Sequence, residues 1–288
     1  MSWRTVVITV NAKLDYQMGY LVVRGKKDIR IHINEIAILI IESTAVSLTA
    51  YLLSELCKNK IKVIFCDEKR NPSSELLPYY GCHDTSIKIR KQIEWTADIK
   101  TEVWTEIVSE KIRKQARLLE KYNKAEASML ENYVTEMTLG DVTNREGHAA
   151  KVYFNALFGK SFTRTEDSPV NAALNYGYTL LLSICNREIV ANGYITQIGL
   201  FHDNMFNPFN FASDLMEPFR PLVDDHVLKL KPEFFETEQK HKMLELLTKE
   251  IIWSERKEYL PNAIKGYVRS IMDALNDRDL SLIKFYEL

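Results

Sequence analysis

From His202 to Pro221 the chain reads His202-Asp203-Asn204-Met205-Phe206-Asn207-Pro208-Phe209-Asn210-Phe211-Ala212-Ser213-Asp214-Leu215-Met216-Glu217-Pro218-Phe219-Arg220-Pro221. This puts an imidazole in a loop punctuated by Asn and Pro, followed by two acids three residues apart, Asp214 and Glu217. On a helix that spacing sets both carboxylates on one face, roughly 5–6 Å apart at Cβ. One histidine with converging carboxylates is a donor set for a hard or borderline divalent cation such as Mg2+ or Mn2+. A cation held there would direct the chemistry towards phosphates.

A second acid of interest is Glu146, in Asn144-Arg145-Glu146-Gly147-His148-Ala149-Ala150-Lys151-Val152-Tyr153-Phe154. Gly147 and the paired alanines thin this helix where a neighbour or ligand could approach. Ala150 and Tyr153 share the face of Glu146, whereas His148 points nearly the opposite way. A site built on Glu146 therefore needs a histidine distant in sequence, and His202 is the candidate. The residues alone also allow simpler accounts. Glu217 and Arg220 form an i,i+3 pair worth ~0.2–0.5 kcal/mol on an exposed helix. Asn171, Asn175 and Tyr178 share a stripe that fits a polar cavity or plain helix–helix hydrogen bonding. Lys111, Arg113, Lys114 and Arg117 read as a solvated basic face paired with Glu110 and Glu120. Lys58, Lys60 and Lys62 read as a phosphate-tracking edge or as protection against edge pairing.

The elements that must position these residues fall into two groups. The 288 residues suggest about two domains. Gly 10 and Pro 8 are low for this length and favour helix. Residues 1–82 read as a β-rich domain with one helix. Strands are expected over Trp3–Val10, Gly19–Arg24, Asp28–Ile33, Ile36–Ile41 and Ile61–Cys66, and a short apolar piece over Glu75–Tyr80 before Gly81. The helix is expected over Ala45–Asn59, with Thr44 as its cap. Residues 83–288 read as a larger all-α domain. Its helices are expected over Thr85–Asp98, Thr101–Tyr122, Ala125–Thr138, Val142–Phe158, Pro169–Asn192, Asn210–Leu230, Glu236–Ser254 and Pro261–Ala274. The fold class is thus α+β, with the candidate metal site in the helical domain.

Residues 1–80 carry 11 Lys/Arg against 8 Asp/Glu, and the rest carry 27 against 31. The formal net charge of −1 argues against indiscriminate coating of nucleic acid, but leaves room for a local basic groove. Cys57, Cys66, Cys82 and Cys185 form no C-x-x-C pair, which argues against a thiolate metal site. Met1 to Asn11 lacks the pattern of a signal peptide, and the apolar run Ile36–Ile41 is far short of a membrane span. The expectation is a reduced cytoplasmic protein with no membrane partner.

Three pieces carry a resemblance: Asn144-Arg145-Glu146-Gly147-His148-Ala149-Ala150; Asn171-Ala172-Ala173-Leu174-Asn175-Tyr176-Gly177-Tyr178; and Gly199-Leu200-Phe201-His202, continuing into Asp214-Leu215-Met216-Glu217-Pro218-Phe219-Arg220-Pro221. In this order they resemble the CRISPR-associated integrases that capture new spacers, those of type II systems above all. The resemblance extends over essentially the whole chain. It implies a metal-dependent DNA integrase and endonuclease using Mg2+ or Mn2+ held by Glu146, His202 and Glu217, with Asp214 as an additional acid close by. Arg220 and Asn175 become candidates for contacting DNA phosphate or orienting a ligand. The implied substrates are short duplex DNA with 3′-hydroxyl ends (the prespacer) and the CRISPR repeat. The implied partners are a second copy in a homodimer, a small adaptation protein, the type II effector nuclease and a ring-forming adaptation protein. Two other classes stay in view: a DNA-binding assembly subunit without catalysis, and a metal-dependent hydrolase of small phosphorylated molecules. The complete acid–histidine set argues against the first, and the lack of a nucleotide-binding loop against the second.

Overall fold

In a computed structural model of the chain, residues 4–25, 27–79 and 82–287 are described. Trp3 and Tyr80, on which the ends of two expected segments fall, and Gly81 beyond the second lie outside them. The chain divides into two compact units: residues 1–85 with 190–193, and residues 86–189 with 194–288.

The first unit holds β1 (Arg4–Ile8), β2 (Ala12–Gln17), β3 (Tyr20–Arg24), β4 (Ile29–His32), β5 (Ile36–Ile41), β6 (Val46–Leu48), α1 (Ala50–Lys58), β7 (Lys62–Cys66) and β8 (Pro72–Leu76). They form two four-stranded sheets, ordered β1-β5-β7-β8 and β4-β3-β2-β6. β5 is buried along its whole length and pairs in parallel with β1 and β7, as its unbroken apolar run predicts. β2 was not expected from its mixed sequence. It is recruited by a two-residue hairpin turn in which Met18 and Gly19 both take positive φ (48° and 86°), matching the twist of β2 and β3. α1 starts later than expected. Thr49 caps it by accepting the Leu52 N–H, and Val46–Leu48 is given up to strand pairing with β2. Lys62 does not guard an edge. It is buried on β7, between β5 and β8, and pairs with Glu75.

The second unit holds α2 (Thr85–Glu94), α3 (Ala97–Lys121), α4 (Ala127–Thr135), α5 (Arg145–Phe158), α6 (Pro169–Ala191), α7 (Asn210–Leu215), α8 (Arg220–Leu230), α9 (Thr237–Leu244), a hairpin of β9 (Glu250–Trp253) and β10 (Arg256–Tyr259), and α10 (Leu260–Asp277). α3 packs against α4, α5, α8 and α10 and forms the axis of the unit. Its inner stripe runs Val103, Trp104, Ile107, Val108, Lys111, Ile112 and Gln115, the i, i+3, i+4 spacing of a core-facing helix.

Two expected helices are corrected. Glu236–Ser254 is not one helix. It is α9, a 3-10 turn and β9, because Ile251-Ile252-Trp253 suits a strand and Ser254-Glu255 turns the hairpin with both φ positive (48° and 64°). Asn210–Leu230 is likewise interrupted. α7 ends at Leu215, Glu217–Phe219 forms a 3-10 turn, and α8 begins at Arg220. Pro218 and Pro221 lack the N–H that would continue the ladder, so each starts a turn. Asp214 and Glu217 therefore do not share one helical face. Among the described residues no helix is long and apolar enough to cross a membrane.

Candidate metal centre

α5 delivers Glu146 in its first turn. Asp141 accepts the N–H groups of Arg145 (2.6 Å) and Glu146 (2.9 Å), and Asn144, in the left-handed region, accepts that of Gly147 (3.3 Å). The backbone donors at this helix end are thus satisfied and the Glu146 side chain is left for other work. The thin face expected at Gly147 is filled by Asn144 itself. His148 is exposed and tilts towards the Tyr133 ring, away from the centre.

The 3-10 turn delivers Glu217. Its Oε1 accepts Arg220 at 3.0 Å, and its Oε2 lies 2.5 Å from the Lys111 ammonium. The same ammonium donates to Glu146 Oε1 at 2.5 Å. Lys111 therefore bridges the two acids across the unit, one from α5 and one from the turn before α8. The Lys111 and Glu217 side chains are 5% and 2% exposed, and Glu146 is 26% exposed. Burial pushes the Lys111 ammonium down, but Glu217 and Glu146 outweigh it and hold it above the ordinary lysine range. Burial likewise pushes the Glu217 carboxyl up, and Arg220 with Lys111 outweighs that and holds it low. Lys111 and Glu217 are therefore both held in their charged forms at neutral pH. The Lys111 ammonium is thus the partner of Glu217 Oε2, and Arg220 that of Oε1.

His202 is set by Asp214. The fully buried Asp214 accepts from the N–H groups of Leu200 (2.6 Å), Phe201 (3.3 Å) and His202 (3.1 Å), and its Oδ1 lies 2.6 Å from His202 Nδ1. Both its oxygens are engaged within the chain. The Nδ1 contact fixes the neutral imidazole with its proton on Nδ1 and its lone pair on Nε2. The Asp214 hydrogen bond raises the imidazole's pKa against the pull of burial, with Glu217 adding to the rise. The loop closes tightly here. A Cβ on Gly199 would meet the His202 carbonyl at 2.5 Å and Asp214 Oδ2 at 2.6 Å, so only glycine fits. Trp104 stacks on Phe201 and meets the His202 ring edge-on. Gln92 ties the start of the loop to α2 through the carbonyls of Ile195 (2.9 Å) and Ile198 (3.0 Å).

Of the residues singled out in the sequence, the structure joins Glu146 to Glu217 through Lys111 and sets His202 within electrostatic reach of Glu217. Arg220 orients Glu217 and lies over the Tyr178 ring. Asn175 accepts from Arg164 at 2.7 Å, in an array where Asn171 also bonds Arg164 and the carbonyls of Thr163 and Glu166. The expected basic face of α3 is corrected: Lys111 and Lys114 are buried, and Lys114 binds Glu110 and the Tyr286 carbonyl, both at 2.7 Å. The signal was the apolar stripe: Lys111 lies four residues after Ile107 and three after Val108.

Among the described residues no three Asp, Glu, His or Cys side chains already stand as a ligand set around one point, since an ammonium fills the gap between two of the acids. The donors nonetheless fit a divalent cation. Two carboxylates already share one positive charge, and the imidazole of His202, close enough to feel the Glu217 charge, offers Nε2. Oxygen with one imidazole suits Mg2+ or Mn2+.

Behind the centre, Asp224 on α8 is fully buried and accepts Tyr153 (2.7 Å) and Tyr178 (2.5 Å). Burial raises its pKa to about 6 despite those bonds and the nearby Arg220 and Arg164. The folded value exceeds the unfolded one, so the stability it contributes is complete below pH ~4 and is lost as pH rises through about 6. That rise corresponds to about 3 kcal/mol. The stability difference between Asp224→Asn and wild type should shift in the variant's favour by about that amount between pH 4 and 7.5, read by denaturant unfolding. A pH-independent difference would refute the assignment.

A β-rich unit followed by a helical unit with an acid–histidine centre defines the class, and comparison with known proteins places the chain within it. The family described as "CRISPR associated protein Cas1" matches residues 5–255, and the chain belongs to that family. It is 33% identical to the CRISPR-associated endonuclease Cas1 of Neisseria meningitidis serogroup C (strain 8013), covering 100% of this chain and 97% of that one. Its fold is similar to a casposase bound to its integration product (TM-score 0.80, 18% identity, covering 98% of this chain and 93% of that one). It is also similar to a chain of a Cas6-RT-Cas1–Cas2 complex (TM-score 0.74, 18% identity, covering 99% of this chain and 36% of that one).

Proposed function

We propose that the protein is a metal-dependent DNA integrase and endonuclease of CRISPR adaptation, joining the 3′-hydroxyl ends of captured short duplexes to the CRISPR repeat. The observation that carries this reading is the pairing of Glu146 and Glu217 around one positive charge, beside a histidine oriented by a buried aspartate. The names of its relatives support the reaction class: an endonuclease, and a fold relative bound to an integration product.

Glu146, Glu217 and His202 Nε2 would hold the cation. When bound, it would act as a Lewis acid on a nonbridging phosphate oxygen and help orient the attacking hydroxyl. Arg220 keeps Glu217 aimed and ionised, and Asp214 keeps the imidazole in the tautomer that presents Nε2. One phosphodiester replaces another, so joining needs no external energy source, and water in place of the 3′-hydroxyl gives cleavage. The small-partner assembly is supported by fold likeness to the Cas6-RT-Cas1–Cas2 complex. A homodimer, the type II effector nuclease and a ring-forming adaptation protein belong to the same proposal.

The test is strand joining by the purified protein and its small partner, with Mn2+ or Mg2+, a short 3′-hydroxyl duplex and a supercoiled plasmid carrying the repeat. Joined products should form and should vanish in Glu146→Ala, His202→Ala and Glu217→Ala. Joining that survives in all three sinks the proposed site. DNA binding without joining in the wild type favours an assembly role.

A further inference from the structure

We propose that Lys111 is the resident counter-ion of this centre, its ammonium occupying the seat between Glu146 and Glu217 in the metal-free protein and leaving when a divalent cation binds. This rests on the proposed metal centre and adds a residue that works against metal occupancy rather than for it.

The distances make the case. Lys111 Nζ stands 2.5 Å from Glu146 Oε1 and 2.5 Å from Glu217 Oε2. Oxygen ligands stand roughly 2.0–2.6 Å from Mg2+ or Ca2+. The ammonium thus sits about where a bridging cation would sit, and both cannot be there together. The contrast with Lys114, one turn along α3, is informative. Lys114 binds one acid and one backbone carbonyl, a structural pairing that no metal would disturb. The two charge partners of Lys111 are both proposed ligands.

Charge gives the reason for such a residue. Two carboxylates held together out of water repel each other unless a positive charge stands between them. Arg220 serves only one side of Glu217. Lys111 keeps the acids together before metal arrives, and its four-carbon stem lets the ammonium swing away afterwards. Arginine, with a broader and planar head, would be a poorer reversible plug.

Direct Mn2+ titration, by the loss of the free-ion electron paramagnetic resonance signal, tests this on wild type and Lys111→Met. An observed Kd is the intrinsic one divided by the open fraction, so removing a plug that closes the seat nine-tenths of the time tightens binding roughly tenfold. The variant should also melt earlier than wild type in EDTA and gain more on adding Mn2+. Mn2+ binding to wild type with equal or weaker binding to Lys111→Met overturns the proposal, because a merely structural lysine would weaken the site when lost. Mn2+ binding to neither protein overturns the metal centre itself, and this inference falls with it. A second measurement needs no variant: reductive methylation of wild type, read by peptide mass spectrometry. Lys111 should be protected in EDTA and react several-fold faster in saturating Mn2+, with Lys114 protected in both. Unchanged Lys111 protection at saturation overturns the proposal even if Lys111→Met does not fold.

Discussion

Glu217→Ala will lower metal-dependent joining by roughly 10³-fold, the several kcal/mol that a positioned Lewis acid supplies at tenfold per 1.4 kcal/mol. The same change will destabilise the fold by about 3–5 kcal/mol, because breaking a buried charge pair strands what remains. Lys111 and Arg220 both lose their Glu217 contact, and both contacts lie in the interior. The two losses separate in a double variant. Adding Lys111→Met removes one stranded charge, so urea unfolding should recover part of the lost stability while joining recovers none. Full stability in Glu217→Ala alone would contradict the buried cluster. Wild-type joining by a folded Glu217→Ala would remove Glu217 from the chemistry.

Asp214→Asn will cost about 3 kcal/mol of stability and lower joining about 10–100-fold, the usual range for a residue that orients a metal ligand. The carboxylate spends both oxygens on three N–H groups and one imidazole. A carboxamide has one acceptor oxygen and presents an NH2 to donors that need an acceptor. The loop from Gly199 to His202 then loses its anchor, and His202 loses the group that fixes its tautomer. In EDTA the imidazole should titrate closer to the ordinary histidine value in the variant, read by NMR. An unchanged titration would mean that Asp214 does not govern the ring. If Asp214 were a direct ligand equal to Glu217, its loss would reach the Glu217→Ala level, and the gap between the two variants distinguishes the roles.

These two acids show where the sequence was legible and where it was not. Glu146, His202 and Glu217 could be singled out from residue type and motif order, because ligand chemistry restricts which side chains serve. Residue spacing alone did not group them, since α5, the loop and the 3-10 turn are distant in sequence; the resemblance implied the grouping, and in the structure Glu146 and Glu217 meet through Lys111 on α3. Asp214 was visible as an acid but not as a positioner. Its role depends on a backbone loop folding onto it, which spacing does not encode. The break between Asp214 and Glu217 was readable, since Pro218 and Pro221 forbid one continuous helix, yet the shared-face reading passed over it. The unbroken apolar run of β5 and the long stripe of α3 were legible because burial imposes strong periodicity. β2, β9 and β10 were not, because short strands of mixed polarity owe their state to the partners and two-residue turns that recruit them. Lys111 is buried because its place on the apolar stripe of α3 outweighs the surface preference of its charge.

The most direct test of the central claim is anomalous diffraction at the manganese edge from crystals soaked in Mn2+. The account predicts a peak at ligand distance, roughly 2.0–2.3 Å, from Glu146, Glu217 and His202 Nε2, with Lys111 Nζ moved away and Asp214 still on His202 Nδ1. A saturated crystal with Lys111 still bridging the two acids, and manganese absent from the centre or bound elsewhere, would contradict it.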